Sequence, residues 1–496
     1  MTRREGGLGT VWAIALGAGA LRLLLFLGLD LYADESYYWL WSRRPSLGYF
    51  DHPPMVAWLI RASTAVVPGE LGVRILFLAC GVLAVVFAAL VARELSDDPR
   101  APVVAALLAA TAPILTLTGA LALPDAPVEA AYAASTWLVA RARGRRWIWA
   151  GVAVGLALLS KYTAAALAPA LFLLVAWDRE LREELRTPWP WLGGLVAVAI
   201  FLPNLAWNAR HGWVSIVVQL RHGFGGKVEP QMVLQYLGGL LGGPGPVVVP
   251  LAVWTLARTR TSAGKRIAAA SLLPVLVTVI SATQGPVEAN WGALVYPGLA
   301  GAAAAGLVGL RPAVGRWLLW GNVGLGLAAA AFFASQSRHP TLVPVDAPLV
   351  ERFRGWREYG ERARAAAAEA CAQIGNPTGC DGKDPFVFPG SYQDAAQLAY
   401  YAGWTRIGPA SERPSQLDLW NERPAPGTPF LRWNSDPGRD PKALFRGEGP
   451  SRPVPFEVLL DGSVLRRGRV TAWKSYLGPL RRPSVDLHYL QDALPP

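Results

Sequence analysis

The chain has 496 residues, 52% of them hydrophobic and only 17% charged. Soluble globular domains carry roughly 25% charged residues, so the deficit points to lipid as the solvent of much of this chain. The net charge of +12 does not indicate nucleic acid. Most basic residues of the first two-thirds sit in short loops between apolar blocks, which is the topological use of Lys and Arg.

From about residue 10 to 334 the sequence is a series of apolar blocks, each near the ~20 residues that cross a ~30 Å hydrocarbon core. The predicted spans are 8–29, 72–92, 101–122, 126–141, 147–159, 162–177, 189–206, 233–256, 267–282, 290–310 and 316–334. The stretch 147–177 is read as two short segments meeting at Ser160-Lys161, because one helix of that length would overshoot the bilayer by roughly 15 Å. The fold class is therefore mainly α, a polytopic bundle of about 11 spans. Residues 1–334 form the transmembrane domain and 335–496 a soluble α/β domain.

Basic residues in alternate loops set the orientation. Arg3, Arg4, Arg93, Arg100, Arg141, Arg143, Arg145, Arg146, Arg179, Arg182, Arg186, Arg258, Arg260, Lys265, Arg266, Arg311 and Arg316 fall on one side. Only Arg43, Arg44, Arg61, Lys161, Arg210, Arg221 and Lys227 fall on the other. The richer side is cytoplasmic by the positive-inside rule. The N-terminus is then cytoplasmic, while the loop 30–71 and the tail are extracytoplasmic. On that side a disulfide between Cys371 and Cys380 is plausible, and Cys80 lies within an apolar segment.

The external loops carry the ionisable groups. The first places Asp34-Glu35 just past a lipid boundary, followed by Tyr37, Tyr38, Trp39, Trp41 and the string Tyr49-Phe50-Asp51-His52. Interfacial aromatics are ordinary, but such a density of ionisable groups beside lipid is costly unless used. Asp125, in LPDAP, suits a helix N-terminus as well as a site. Lys161, in LLSKYTA, either snorkels or meets an anion. Arg210, Arg221, His211, His222 and Lys227 make a cationic external loop against the topological bias; it suits a phosphate or anionic headgroups. Asn290-Trp291 suits sugar hydroxyls and a sugar face, or an interfacial anchor.

In the tail a helix is expected over 346–373, and strands at 385–388, 417–420, 430–433 and 455–460. No catalytic constellation is visible there.

DESYYWLWSRRPSLGYFDHPPMVAWL, LPDAP, LLSKYTA, PNLAWNARHGW and EANWGALVYPGLA, in that order, resemble bacterial members of glycosyltransferase family 39. These are relatives of the protein O-mannosyltransferases and of the aminoarabinose transferase acting on lipid A. The resemblance implies a C-type glycosyltransferase fold, a polyprenyl-phosphate sugar donor, a catalytic carboxylate at Asp34 and a donor-phosphate ligand at Lys161. From their chemistry, Glu35 is expected to act with Asp34, and Arg210, Arg221 and His52 to bind phosphate. Tyr49, Asp51, Asp125, Asn290 and Trp291 are expected at the sugar and acceptor. The expected reaction is transfer with inversion to a lipid, glycan or protein acceptor outside the bacterial cytoplasmic membrane. Membrane lipid is the surrounding partner and nucleic acid is not one. No cofactor is required; a divalent metal at Asp34, Glu35 and Asp125 stays open. The chain lacks the large luminal insert of the eukaryotic relatives, which puts a protein acceptor in doubt. The alternative reading is a secondary transporter of an anionic or lipid-linked substrate, supported by the break at Lys161.

Overall fold

The computed structural model describes residues 7–224, 230–284, 287–375, 377, 380, 384–409, 413–435 and 445–479. Arg3, Arg4 and Lys227, used above for orientation, lie outside the described residues.

The apolar blocks fold as helices, the one structure that satisfies its own backbone in lipid. Helix α1 (Leu8–Phe26) leads into α2 (Ala33–Ser42) and α3 (Met55–Thr64), which occupy the first long loop. Helix α4 (Gly69–Leu95) follows, then α5 (Ala101–Thr111) and α6 (Pro113–Thr118), one expected span split where Pro113 cannot donate to the ladder. Next come α7 (Asp125–Ala140) and α8 (Arg146–Ser160). The expected break is at Lys161, whose backbone is extended (φ −155°, ψ 136°). A 3-10 turn (Tyr162–Ala166), α9 (Leu167–Leu174) and the short α10 (Arg179–Glu184) then precede α11 (Pro188–Arg210) and α12 (Val214–Phe224). The span expected at 233–256 is two helices, α13 (Pro230–Gly242) and α14 (Val248–Arg258), parted by Gly243-Pro244-Gly245-Pro246. Helix α15 (Ser262–Ala282), a 3-10 turn (Ala289–Val295) and α16 (Tyr296–Val308) lead to α17 (Pro312–Arg338), which runs four residues past the expected boundary at 334.

Small residues bring these helices together. Helices α8 and α11 approach where Gly151 faces Gly193; a Cβ on either would run into the other's backbone. Such contacts replace the hydrophobic drive that lipid does not supply.

Past α17 the chain forms α18 (Pro348–Glu351) and α19 (Trp356–Gln373), which start separately where a single helix was expected. Gly355 adopts φ 80° between them, a turn that reaims the chain. Helix α19 packs on a five-stranded sheet of β1 (Val387–Phe388), β2 (Phe430–Asn434), β3 (Phe445–Pro450), β4 (Val454–Leu460) and β5 (Ser463–Pro479). β1 and β2 are parallel, and β5 is the antiparallel partner of β2, β3 and β4. The 417–420 strand is not formed: these residues lie in helix α21 (Gln416–Trp420). Neither β3 nor the long β5 was anticipated. Cys371 and Cys380 form the disulfide, Cα to Cα 5.6 Å.

This domain is not a loose cover. Helix α20 (Tyr392–Gln397) lies against α2, and Tyr37, Tyr38 and Trp41 share one apolar cluster with Tyr392, Ala396 and Leu417. The Tyr401 hydroxyl accepts from the Leu31 amide at 2.7 Å, and Gln397 donates to the Leu31 carbonyl at 3.0 Å. Asp30 accepts from the Trp356 amide at 2.8 Å.

Candidate active site

Helix α2 turns two adjacent carboxylates in different directions, since neighbours on a helix point about 100° apart. Glu35 is fully buried and saturated. Its oxygens take a bidentate bond from Arg74 (2.6 and 2.8 Å) and amide bonds from Ala122 and Tyr32, both at 2.9 Å. Arg74 also donates to the carbonyls of Phe26, Leu29 and Asp30. Glu35 therefore ties α2 to α1, α4 and the turn before α7, in place of the catalytic position expected from sequence; no lone pair is left for an acceptor proton.

Asp34 is the opposite case. It is partly exposed, and the Tyr392 hydroxyl donates to it at 3.3 Å. Its carboxyl is pushed up to about 6, first by burial, then by the Glu288 and Asp51 carboxylates, with Arg413 and the Tyr392 bond opposing. A lightly bonded carboxylate near neutrality is a competent proton acceptor.

The second pole is built from α7, α8 and the 289–295 turn. Lys161 leaves the helical path at the end of α8 and its Nζ reaches Asp125 Oδ1 at 2.8 Å. Asn290 donates to Asp125 Oδ2 at 3.2 Å. Trp291 lies 5.0 Å from the His222 ring. Asp125, Lys161, Asn290 and Trp291, read from three separate loops, come together here.

Tyr38 and His52 join the poles. Their rings are 6.0 Å apart. Burial and then the fields of Asp34, Asp51, Tyr392 and Asp125 hold the Tyr38 hydroxyl well above its usual range. Burial and then Lys161, His222 and Arg413 push His52 down to about 3, so its ring is neutral. His52 Nδ1 has no hydrogen-bond partner among the described residues. Tyr38 thus lies within the fields of both Asp34 and Asp125, and the neutral His52 beside it within that of Lys161.

Asp51 is buried, accepting from the Tyr37 hydroxyl at 3.0 Å and pairing with Arg413 at 3.3 Å. Arg413 lies 4.3 Å over the Tyr392 ring, and Gln416 bonds both Tyr37 and the Phe50 amide. Arg413, Tyr392 and Gln416 belong to the tail, where sequence reasoning saw no site residue. No local signal betrays them; their role comes from docking over more than 350 residues of separation.

Two sequence expectations are corrected. Tyr49 is wholly buried, stacked on Trp41 at 4.5 Å, its hydroxyl bonded to the Trp41 and Arg44 carbonyls and the Ser46 amide. It shapes the loop and cannot face a sugar. Arg210 and Arg221 are exposed at the ends of α11 and α12, and from PNLAWNARHGW it is the asparagines that enter the interior. Asn204 and Asn208 bond the Tyr162 hydroxyl at 3.2 and 3.1 Å, fixing the residue after Lys161. The trio proposed for a metal is divided: Glu35 is held by Arg74 and Asp125 by Lys161. Among the described residues, no group of three His, Cys, Asp or Glu side chains is arranged around a metal-sized space.

Residues 51–207 match the family described as dolichyl-phosphate-mannose-protein mannosyltransferase. The chain is 28% identical over 403 residues to the lipid A galacturonosyltransferase RgtD of Rhizobium johnstonii, covering 74% of this chain and 77% of that protein. It is 32% identical over 182 residues to the undecaprenyl phosphate-alpha-4-amino-4-deoxy-L-arabinose arabinosyl transferase of Pseudomonas aeruginosa, 34% of this chain and 32% of that one. Structures of ArnT from Cupriavidus metallidurans, apo and bound to undecaprenyl phosphate, superpose with TM-scores of 0.64 and 0.63. Identity is 16%, covering 94% of this chain and 98% of that chain. The ordered motifs, the matched region and the shared helical architecture agree: the chain is similar to glycosyltransferase family 39 and has an ArnT-like fold.

Proposed function

We propose that this protein moves a sugar from a polyprenyl-phosphate donor to a hydroxyl of a lipid-anchored glycan outside the bacterial cytoplasmic membrane, with inversion. The observation that carries the reading is the pair of poles flanking Tyr38 and His52: an Asp34 carboxylate bonded by Tyr392 and the Lys161–Asp125–Asn290 cluster. The relatives named for lipid A and for undecaprenyl-phosphate-linked aminoarabinose support the donor and acceptor classes.

In this reading the acceptor hydroxyl gives its proton to Asp34 as its oxygen attacks the anomeric carbon. The bond from that carbon to the phosphate oxygen breaks, and its electron pair leaves with polyprenyl phosphate. Lys161 and Arg413 meet the charge that grows on the leaving phosphate, in a site poor in water where fixed cations count for more. Neutral His52 donates rather than attracts. Trp291 and Asn290 offer a face and a hydrogen bond to the sugar. The membrane holds the lipid donor in two dimensions, so positioning is partly settled before binding. These side chains supply the needed charges without a resident metal. In this reading the N-terminus is cytoplasmic and the tail domain lies outside, completing the site from above. The transporter alternative rested on the break at Lys161, which the contact with Asp125 accounts for.

The test is incubation of the purified protein with undecaprenyl phosphate carrying labelled aminoarabinose, galacturonic acid or mannose, with and without lipid A, and with EDTA. Expected is acceptor-dependent release of undecaprenyl phosphate from one donor, undiminished by EDTA. No release with any donor would overturn the reading.

A further inference from the structure

Glu35 and Trp39 share the face of α2 turned away from the Asp34–Tyr38 face, and two adjoining cavities open there. The inner one, of about 180 Å³, lies between the end of α1 and the start of α4; Arg22 and Arg74 line it among Leu23, Phe26, Leu71 and Ala120. The outer, of about 520 Å³, borders it at Pro68, Gly69, Glu70 and Arg357, the last two paired, and adds Trp39, Arg43, Glu361 and Arg364.

The two deep arginines differ. Arg74 is saturated by Glu35 and three carbonyls. Arg22 is 1% exposed, and its Nε and Nη1 have no hydrogen-bond partner among the described residues. Gly81 and Gly119 close around its guanidinium; a Cβ at Gly81 would lie 2.8 Å from Nη1. Glu129 is near enough to influence it, yet among the described residues no hydrogen bond joins the two. A buried cation with idle donors is costly, so the site calls for an anionic partner. Arg22 sits about one turn before the end of α1, and its guanidinium lies beside Gly81, on the inner cavity's deep side. On the outer surface of α1, Leu24 and Leu27 are 64% and 56% exposed, a surface for acyl chains.

We propose that these cavities bind an anionic membrane lipid, its phosphate on Arg22 and the rest of its headgroup among Trp39, Arg43, Arg357 and Arg364. The site lies behind the catalytic helix and is separate from the donor site. It rests on the bundle spanning a membrane and not on sugar transfer.

The test uses the full chain in nanodiscs of phosphatidylcholine mixed equally with phosphatidylglycerol, with no donor or acceptor present, and native mass spectrometry of the lipid retained after release. Wild type is expected to keep phosphatidylglycerol at least about tenfold over phosphatidylcholine, roughly one good phosphate contact. Arg22→Met is expected to abolish that preference, and Asp34→Asn to keep it. Ala120→Leu fills the inner cavity without touching charge; it decides the matter if Arg22→Met fails to fold, and is expected to lose the lipid. Equal retention of the two lipids by wild type, or undiminished preference in the folded Arg22→Met or Ala120→Leu variant, would overturn the proposal. So would displacement of the lipid by inorganic phosphate, which would make this a site for a soluble anion. Because no sugar is present, this outcome is independent of whether transfer is ever observed.

Discussion

Replacing Asp34 by asparagine keeps the side-chain volume and removes one negative charge and one proton acceptor. Loss of a general base lowers turnover by about 10²–10⁴-fold. Stability should move the other way. With the carboxyl pushed from 3.8 up to about 6, the folded protein holds the ionised form at a cost of about 3 kcal/mol at neutral pH. Solvent at the partly exposed group reduces this to on the order of 1–3 kcal/mol. The sign follows from proton uptake. Below 3.8 the group is protonated in both folded and unfolded chains and costs nothing; between 3.8 and about 6 the cost grows; above about 6 it is fully present. Asp34→Asn should thus be inactive yet more heat-resistant than wild type at pH above about 6, with the gap closing as pH falls towards 3.8. Wild-type kcat/KM should fall as pH drops through about 6. The assays are release of undecaprenyl phosphate across pH and thermal aggregation in detergent. A variant that keeps more than about a tenth of the activity, with the acid limb unchanged, refutes the assignment.

Arg413→Ala removes a charge that opposes the rise at Asp34, so the acid limb of kcat/KM should move to higher pH and turnover fall about tenfold; a limb that stays put shows that Arg413 does not act on Asp34. Glu35→Gln breaks the buried pair with Arg74 and should cost about 3–5 kcal/mol, read as a large drop in the aggregation midpoint; an unchanged midpoint would remove its bracing role. Lys161→Ala deletes an ammonium that would hydrogen-bond the donor phosphate, and should raise the donor KM at least about tenfold; a KM equal to wild type takes Lys161 out of the site. In intact spheroplasts, Cys371 and Cys380 should resist a membrane-impermeant maleimide until an impermeant reductant is added; labelling only after lysis would reverse the assigned orientation.

The bundle was legible because apolar length and Pro or Lys interruptions speak directly of lipid and helix breaks; even the two-part reading of 147–177 follows from length alone. Asp34, Asp125, Lys161 and Asn290 were legible for a related reason, each being a polar group stranded beside a lipid boundary. The division of labour between Asp34 and Glu35 was not, since only the position of Arg74 decides which carboxylate is tied down. Residues 417–420 look like a strand by composition. The capping box Ser415–Asp418, with the Ser415 amide donating to Asp418 at 2.8 Å, was present in the sequence and marks a helix start. Strand β5 was hidden by its arginines and glycines, which serve three different neighbours along one bent ribbon. Arg413 was invisible because a surface arginine in a polar loop says nothing of what it will dock against.

The docking of the tail has a bearing on how the protein is made. Arg413, Tyr392 and Gln416 follow the helical bundle in the chain and so leave the ribosome after it. Until they are translocated and seated on α2, the nascent bundle has its lysine and carboxylate but an open roof, and Asp51 and Tyr37 face water without their partners. On the proposed mechanism, catalytic competence therefore waits for that docking, and a chain clipped before residue 392 keeps Asp34 and Lys161 but lacks Tyr392, Arg413 and Gln416.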